Sequence, residues 1–441
     1  MAISSITGVT GWGGCREGGK SAGGRPAQSG WGLFPLAGRA LPVGQWSVVS
    51  APPTIVHLDA DAFFVSCELA RRPELRGKAC AVGGRERGII ASASYEARAA
   101  GVYTPMPTAR ALRVCPGLVL IPPTPGLYGE VSARMFDLCG ELTPWVERSS
   151  IDEGYLDLRG KALADEAKVA AVVQRLQERL WSELALPVSF GIAANKLVAQ
   201  VASKLRKPRG FVVVSPGAEA EFLAPLPVGR LPGIGAKTEA RLAEHHGLRL
   251  IGEVQNLAEP LLEAAFGAGW REVHAAARGQ DDRPVVTESG DAQSYSQQET
   301  FAADVRDHAH LVRVLKGMVD ELLPKVRRDG KKVRTLTVRV RFPDFSEGMR
   351  SRTLPNATDL EPPFYPLLEP LLAAAGVGAR PVRLAGVRLS GVEAGGGQLE
   401  LFGVDEARRR RLAHVRDQLN AARGAGALRH GHQLANPADD T

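Results

Sequence analysis

The sequence predicts an α+β protein of several domains, on three grounds. At 441 residues the chain exceeds what one hydrophobic core holds, so about three or four domains are expected. Between Pro52 and Pro216, short β-rich runs alternate with longer segments of helical apolar spacing. Past residue 290 a two-residue alternation sets in, over Val333–Phe342 and Val382–Ser390.

Residues 1–51 are rich in glycine, serine and proline with isolated tryptophans, and carry no sustained period. They are expected to be a disordered extension, dispensable for chemistry. Ile55–Leu58 reads as the first strand and Ala62–Leu69 as the start of a helix, which sets Asp59-Ala60-Asp61 at a strand-to-helix turn. An insertion containing Gly88–Ser92 and Tyr95–Arg98 follows, large enough for a small lobe over the edge of a sheet. Gly129–Leu142 and Ala164–Leu184 have helical spacing, and Gly154–Leu158, Val188–Ala193 and Phe211–Val214 read as strands. A sheet with helices on one face is the simplest solution. Between Trp145-Val146 and Tyr155–Leu158 lies a second acidic cluster, Ser150-Ile151-Asp152-Glu153, which resembles a tight hairpin with Asp152 and Glu153 at its tip. Neighbours on a strand point to opposite faces, so the turn must re-aim one of them for both to share a site.

Residues 217–282 read as short helices around Leu231-Pro232-Gly233-Ile234-Gly235-Ala236-Lys237. Two glycines around an apolar residue, leading into a helix, form a hairpin whose backbone N–H groups can bind phosphate. Asp281–Asp291 is polar and reads as a linker, and Asp304–Val326 as a helix. In Val333–Phe342, the set Val333, Thr335, Thr337, Arg339, Arg341 alternates with Arg334, Leu336, Val338, Val340, Phe342. One face is then apolar and the other basic, with Ser351–Leu354 and Val382–Ser390 as pairing partners. Arginine and threonine directed outward suit a nucleic-acid backbone, which requires charge without base reading. Glu406–Ala421, with Arg408-Arg409-Arg410-Arg411, reads as a basic helical tail, a solvated charge run or a nonspecific DNA contact.

The chain carries a formal charge of +7. Residues 301–390 hold 16 Lys+Arg against 10 Asp+Glu, a net of +6, so the excess is concentrated where a polyanion could use it. Five scattered cysteines, Cys15, Cys67, Cys80, Cys115 and Cys139, form no CxxC pair and fit reduced core thiols rather than a structural zinc. No apolar run reaches the length of a membrane span and the N-terminus lacks a compact apolar signal core, so a cytoplasmic protein without a membrane partner is expected. The two acidic clusters decide the function class: carboxylates gathered at two strand ends repel one another unless divalent cations join them, which points to a metal-dependent enzyme.

Six segments in order carry a more specific signal: His57-Leu58-Asp59-Ala60-Asp61-Ala62-Phe63-Phe64, Ala93–Arg98 (ASYEAR), Ser149–Asp157 (SSIDEGYLD), Gly191–Lys196 (GIAANK), Ala202–Pro208 (ASKLRKP) and Leu231–Gly235 (LPGIG). Together they resemble the Y-family of translesion DNA polymerases, closest to the bacterial DNA polymerase IV, or DinB, group, over roughly residues 52–403. The resemblance implies a ferredoxin-like palm (52–62 and 125–216), small fingers (63–124), a helical thumb with a helix-hairpin-helix (217–282), a linker (283–291) and a C-terminal α/β little finger (292–392). A clamp-binding peptide and basic tail would occupy 393–441.

It also implies a template-directed, low-fidelity polymerase without proofreading that moves a nucleotide from a dNTP to a primer 3′-hydroxyl. Asp59, Asp152 and Glu153 would be the catalytic carboxylates, holding two Mg2+ ions with the Ala60 carbonyl. Tyr95, Arg98 and Lys207, with Ser92 as a weaker candidate, would contact the triphosphate. Phe64 would be the steric gate against a ribose 2′-hydroxyl, with Phe63 beside it. Gly233, Gly235 and Lys237 of the thumb and Arg339 and Arg341 of the little finger would meet the DNA. Gln398, Leu399, Leu401 and Phe402 resemble the peptide that enters the groove of the bacterial sliding clamp. The expected partners are therefore primer-template DNA, dNTP and the clamp, with the protein itself a monomer. The role of Asp61 stays open between a turn or helix cap and catalysis. Two rival classes are a non-enzymatic DNA and clamp adaptor, and an acidic-palm enzyme that makes cyclic nucleotides or copies RNA.

Overall fold

A computed structural model describes residues 53–431 except 86, 160–164, 289, 379, 396–403 and 425. The 1–51 extension and Gln398, Leu399, Leu401 and Phe402 therefore lie outside the described residues.

The first sheet has five strands in the order Val146–Arg148, Glu153–Asp157, Ile55–Ala60, Val188–Ala193, Phe211–Val213. All neighbours are antiparallel except the last pair. Ile55–Ala60 is central and all six of its residues are buried. Val56, Leu58 and Ala60 pack with helices Leu127–Leu142 and Glu166–Leu184. Ile55 faces the opposite way, into a core built by helix Lys196–Ser203 and the helices after residue 218. Helices thus cover both faces, where one covered face is the expectation from sequence. The reason lies in Lys196–Ser203, which is buried at seven of its eight positions and so cannot rest on an outer surface. It also lies unusually close to the sheet, since a Cβ at Gly191 would fall 2.1 Å from the Ala199 carbonyl oxygen.

The insertion builds its own three-stranded sheet, Ile90–Ala93, Cys80–Gly83, Val119–Ile121, with a small core that includes Ala81, Ile90 and Met106. Residues 219–277 form the expected run of short helices. Among them, Ala236–His246 begins at Gly235, just past Gly233 at φ +91°. The polar stretch after it is only partly a free connector. Asp281 accepts a hydrogen bond from the Leu197 N–H at 2.9 Å, the Val286 N–H donates to Glu147 at 2.8 Å, and Val285 is buried.

The last sheet is antiparallel throughout, in the order Glu347–Thr358, Lys331–Arg341, Val382–Ala394, Ser294–Val305. Helices His308–Arg328 and Tyr365–Ala374 pack on one face. Asp304 belongs to a strand, not to the helix expected from its position. Asp307 sets the helix start by accepting from the His310 N–H at 3.1 Å. The strand Ser294–Val305 is rich in Ser, Gln and Glu, which masks its period. In Lys331–Arg341 the apolar face holds Leu336, Val338 and Val340 as expected, but Val333 is buried and Arg334 exposed, the reverse of strict alternation. The register against Glu347–Thr358 is irregular between Val333 and Thr335, and this is where the alternation breaks.

The basic tail forms helix Val404–Arg423 and is docked rather than free. The Arg327 guanidinium donates to Asp417 at 2.6 Å and to Glu361 at 2.9 Å. Cys67, Cys80, Cys115 and Cys139 are free and buried. No helix among the described residues is long and apolar enough to cross a membrane.

Candidate active site

The end of the central strand meets the Asp152 turn directly. Asp59 pairs in register with Glu153, and the Ala60 N–H donates to the Asp152 carbonyl at 2.9 Å. The turn is shaped by Ser150, whose hydroxyl accepts from the N–H groups of Asp152 and Glu153, each at 3.1 Å, and donates to the Asp152 carboxylate at 2.5 Å. Asp152 therefore sits in the turn while Glu153 opens the next strand; Asp152 lines the adjoining cleft and Glu153 does not. Burial raises the Asp152 carboxyl above its ordinary range, the Ser150 hydroxyl opposes this, and the nearby Asp59 raises it further. Such a carboxylate is stabilised by any cation brought beside it.

A cleft of about 180 Å3 opens here, and its walls include Asp59, Ala60, Phe63, Phe64, Ser92, Arg98, Asp152 and Lys207. Residues from the first strand, the insertion and the segment after residue 203 thus meet in one place. Phe63 is mostly a core side chain, 3% exposed, whereas Phe64 is half-buried with its ring 4.5 Å from that of Tyr128. The Arg98 guanidinium donates from Nε to the Ala93 carbonyl at 3.0 Å and lies 5.1 Å from the Tyr95 ring centre. The Tyr95 hydroxyl donates to Asp61 at 3.3 Å, and burial pushes that phenol well up.

Two ammonium groups answer the carboxylates. Lys207 pairs with Asp59, and Lys204 lies 3.2 Å from Glu153 and 4.0 Å from Asp59. Sequence reading gave Lys204 no role, although it stands three residues before Lys207 in the same motif. His57 was also passed over. It is fully buried two residues before Asp59, with Nδ1 2.7 Å from the Ser203 hydroxyl. That hydroxyl donates to the Gln200 carbonyl at 2.9 Å, so Nδ1–H is the donor. Nε2 is left without a hydrogen bond, 3.9 Å from Glu153. Burial first, then Lys204, Lys207 and Lys196, hold the imidazole well below its usual pKa, and it is neutral at physiological pH.

Asp61, the residue left open, caps no helix: Ala62 holds the N-cap position at φ +46°. Nor does it line the cleft. It is fully buried and receives the Ser189 hydroxyl at 2.9 and 3.0 Å and the Arg209 N–H at 2.8 Å.

Away from the cleft, Gly233, Gly235 and Lys237 are exposed while Ile234 anchors the hairpin in the core. Arg339 and Arg341 lie on the open face of the last sheet, but both bind Glu347, with closest contacts of 2.7 and 2.5 Å.

The donor set suits magnesium. Asp59 and Asp152 supply hard carboxylate oxygens, with Glu153 next to them. Among the described residues no three His, Cys, Asp or Glu side chains close on one point, so the shell of an ion here would be completed by phosphate oxygens and water. That division is how proteins commonly hold Mg2+.

Comparison with known proteins gives concordant results. The impB/mucB/samB family matches residues 58–204, its HHH motif residues 216–248 and its C-terminal domain residues 292–401. The chain is 61% identical to DNA polymerase IV of Opitutus terrae over 383 residues, 87% of this chain and 98% of that one. It is 38% identical to DNA polymerase IV of Desulfatibacillum aliphaticivorans over 339 residues, 76% of this chain and 84% of the other. Among solved structures, a Y-family chimera of the polymerases Dbh and Dpo4 aligns with a TM-score of 0.70 at 25% identity, covering 77% of this chain and 99% of that one. An insertion ternary complex of Dbh DNA polymerase aligns with a TM-score of 0.56 at 26% identity, with the same coverage.

Proposed function

This chain belongs to the impB/mucB/samB family of Y-family DNA polymerases, within the DNA polymerase IV group, and we propose that it extends primers across damaged DNA by a two-metal nucleotidyl transfer at the Asp59–Asp152–Glu153 site. DNA-directed DNA polymerase activity follows from that membership. The mechanism, the fidelity and the clamp are the proposed part. One observation carries the proposal: the register that sets Asp59 opposite Glu153 also brings Asp152 into the cleft that holds Arg98 and Lys207.

Two magnesium ions, held by Asp59, Asp152, Glu153 and the Ala60 carbonyl, would lower the pKa of the primer 3′-hydroxyl and neutralise the departing pyrophosphate. The chain's own groups do the rest. Arg98 and Lys207 hold the triphosphate by charge, with Tyr95 adding a directed hydrogen bond. Lys207 and Lys204 now lie against Asp59 and Glu153, so both ammonium groups must turn toward phosphate for the carboxylates to be released. Phe64, at the cleft wall with its ring against Tyr128, would lie under the sugar and exclude a 2′-hydroxyl.

We assign the palm to 52–62 and 125–216, the fingers to 63–124, the thumb to 217–282 and the little finger to 292–392, with 283–291 between the last two. Two solved neighbours, both ternary complexes of Dbh DNA polymerase, support primer-template DNA and dNTP as partners. The glycine hairpin and the open basic sheet would grip the backbone, and Gln398–Phe402 would recruit the sliding clamp. The protein would act as a monomer in the cytoplasm.

Primer extension with Mg2+ on undamaged and damaged DNA templates, beside an RNA template, tests this reading. Extension on DNA that is abolished by chelation and by Asp152→Ala supports it. No extension would leave the adaptor, metal-independent extension would refute the two-metal site, and equal use of RNA would leave the RNA-copying enzyme.

A further inference from the structure

Asp61 is the carboxylate of the first cluster that stays out of the cleft, and the groups in hydrogen-bond or ion-pair contact with its carboxylate are donors and one cation, with the Asp59 carboxylate acting against them from nearby. The contacts are the Ser189 hydroxyl at 2.9 and 3.0 Å, the Arg209 N–H at 2.8 Å, the Tyr95 hydroxyl at 3.3 Å and the Lys207 ammonium at 3.4 Å. Three of the four lie on, or brace, the turn Lys207-Pro208-Arg209. Arg209 holds φ +51°, a left-handed conformation that a residue with a side chain rarely keeps unless its surroundings impose it. Ser189 links the two sides, donating to Asp61 while accepting from the Gly210 N–H at 2.9 Å. From the outer side, the Gln177 amide donates to the carbonyls of Val188 at 2.8 Å and Gly210 at 3.3 Å. The Arg209 guanidinium lies 4.9 Å from the Trp181 ring centre.

We infer that Asp61 is the positioning residue for Lys207, fixing the turn through the Arg209 N–H and holding the ammonium at the cleft for an incoming triphosphate. A lysine stem is flexible and carries about 2 kcal/mol of rotamer entropy, so a defined location for Nζ needs an outside constraint. Asp59 now contributes one. Once Asp59 is engaged elsewhere, Asp61 is the carboxylate that remains beside Lys207. The buried position of Asp61 suits this work, because an acceptor shielded from water holds donors more firmly than an exposed one. By also accepting from Tyr95, Asp61 ties the insertion's first helical residues to the same turn. The inference rests on the reading of Lys207 as a triphosphate ligand.

The test is a double-mutant cycle read by equilibrium dNTP binding to the full chain on a dideoxy-terminated primer-template, followed by fluorescence. Asp61→Asn should raise the dNTP Kd about tenfold with the Kd for primer-template unchanged, the range expected for a lost charge-assisted hydrogen bond. In the Lys207→Ala background the same substitution should change the Kd by less than about twofold, because residues acting through one another are not additive. An unchanged Kd in Asp61→Asn, or a full tenfold effect without Lys207, overturns the inference while leaving the site assignment intact. If Lys207→Ala alone leaves dNTP affinity unchanged, the ligand reading fails and the inference with it. Should Asp61→Asn not fold, Gln177→Met loosens the turn from outside and should raise the Kd about threefold with the same non-additivity; no change there overturns the inference.

Discussion

Glu347→Gln should tighten binding to primer-template DNA. Glu347 receives both arginines assigned to backbone contact: Arg339 through distances of 2.7, 2.7 and 3.0 Å, and Arg341 through 2.5 and 2.8 Å. Burial pushes the Glu347 carboxyl up, but the hydrogen bonds from Arg339 and Arg341 outweigh it and hold the carboxyl below its ordinary range. It is therefore fully charged near neutral pH, and the effect of removing that charge should not vary there. A phosphate meeting this face must displace Glu347 from each guanidinium. An exposed ion pair is worth about 0.2–1 kcal/mol, so two such pairs withhold about 1 kcal/mol from the complex, or a factor of about five in Kd. Deleting one negative charge at the contact should also steepen the slope of log K against log salt by about 1. Fluorescence anisotropy of labelled primer-template from about 50 to 200 mM salt reads both quantities. Unchanged affinity together with an unchanged slope would refute the assignment of the open sheet face to the DNA backbone.

Other outcomes follow from the same geometry. Phe64→Ala should raise ribonucleotide incorporation relative to deoxyribonucleotide, measured by single-nucleotide insertion; an unchanged preference removes the gate. Arg327→Met leaves the buried Glu361 with one partner fewer and should cost about 3–5 kcal/mol in the transition of the last domain, measured by denaturant unfolding of the whole chain. A loss below about 1 kcal/mol would mean that the docked tail helix contributes little. For Asp281, burial raises the carboxyl but hydrogen bonds from Arg283 and the Leu197 N–H prevail and lower it. A depressed folded pKa stabilises above the unfolded value of about 3.9 and loses that contribution as pH falls through the folded one. The stability gap between wild type and Asp281→Asn should therefore close on acidification below about pH 4, and a gap independent of pH would contradict this. Leu401→Ala with Phe402→Ala should abolish clamp-stimulated synthesis while leaving synthesis without clamp unchanged; intact stimulation discards the peptide.

The acidic clusters were legible because each ends an apolar run, and a strand end is where a short polar side chain can leave the sheet. That ground marked the two clusters, and the ordered motifs around them singled out Asp59, Asp152 and Glu153 within them; the turn shaped by Ser150 came only with the structure. Less legible were features made by residues far apart in the chain. Asp61 acquires its role from Ser189 and Arg209, more than a hundred positions away, and nothing local distinguishes it from a capping aspartate. Lys204 and His57 gain meaning only once helix Lys196–Ser203 is seated against the sheet. The covering of both sheet faces was hidden for the same reason, since a short apolar segment reads alike on either side of a strand. Ser294–Val305 was missed because its buried positions, Tyr295, Gln297 and Phe301, are interleaved with residues that favour loops. Around Val333 the alternation breaks at an irregular step in register, and alternation by itself cannot foresee such a step.

The central claim is that Asp59 and Asp152, with Glu153, form one divalent-metal site that is completed by the triphosphate. Counting Mn2+ bound to the full chain by electron paramagnetic resonance tests it, with dideoxy-terminated primer-template present and dNTP either added or withheld. The claim predicts about two tightly bound ions per ternary complex, fewer without dNTP, and a loss of binding in Asp152→Asn although DNA affinity is retained. Metal binding that is indifferent both to dNTP and to Asp152 would contradict it.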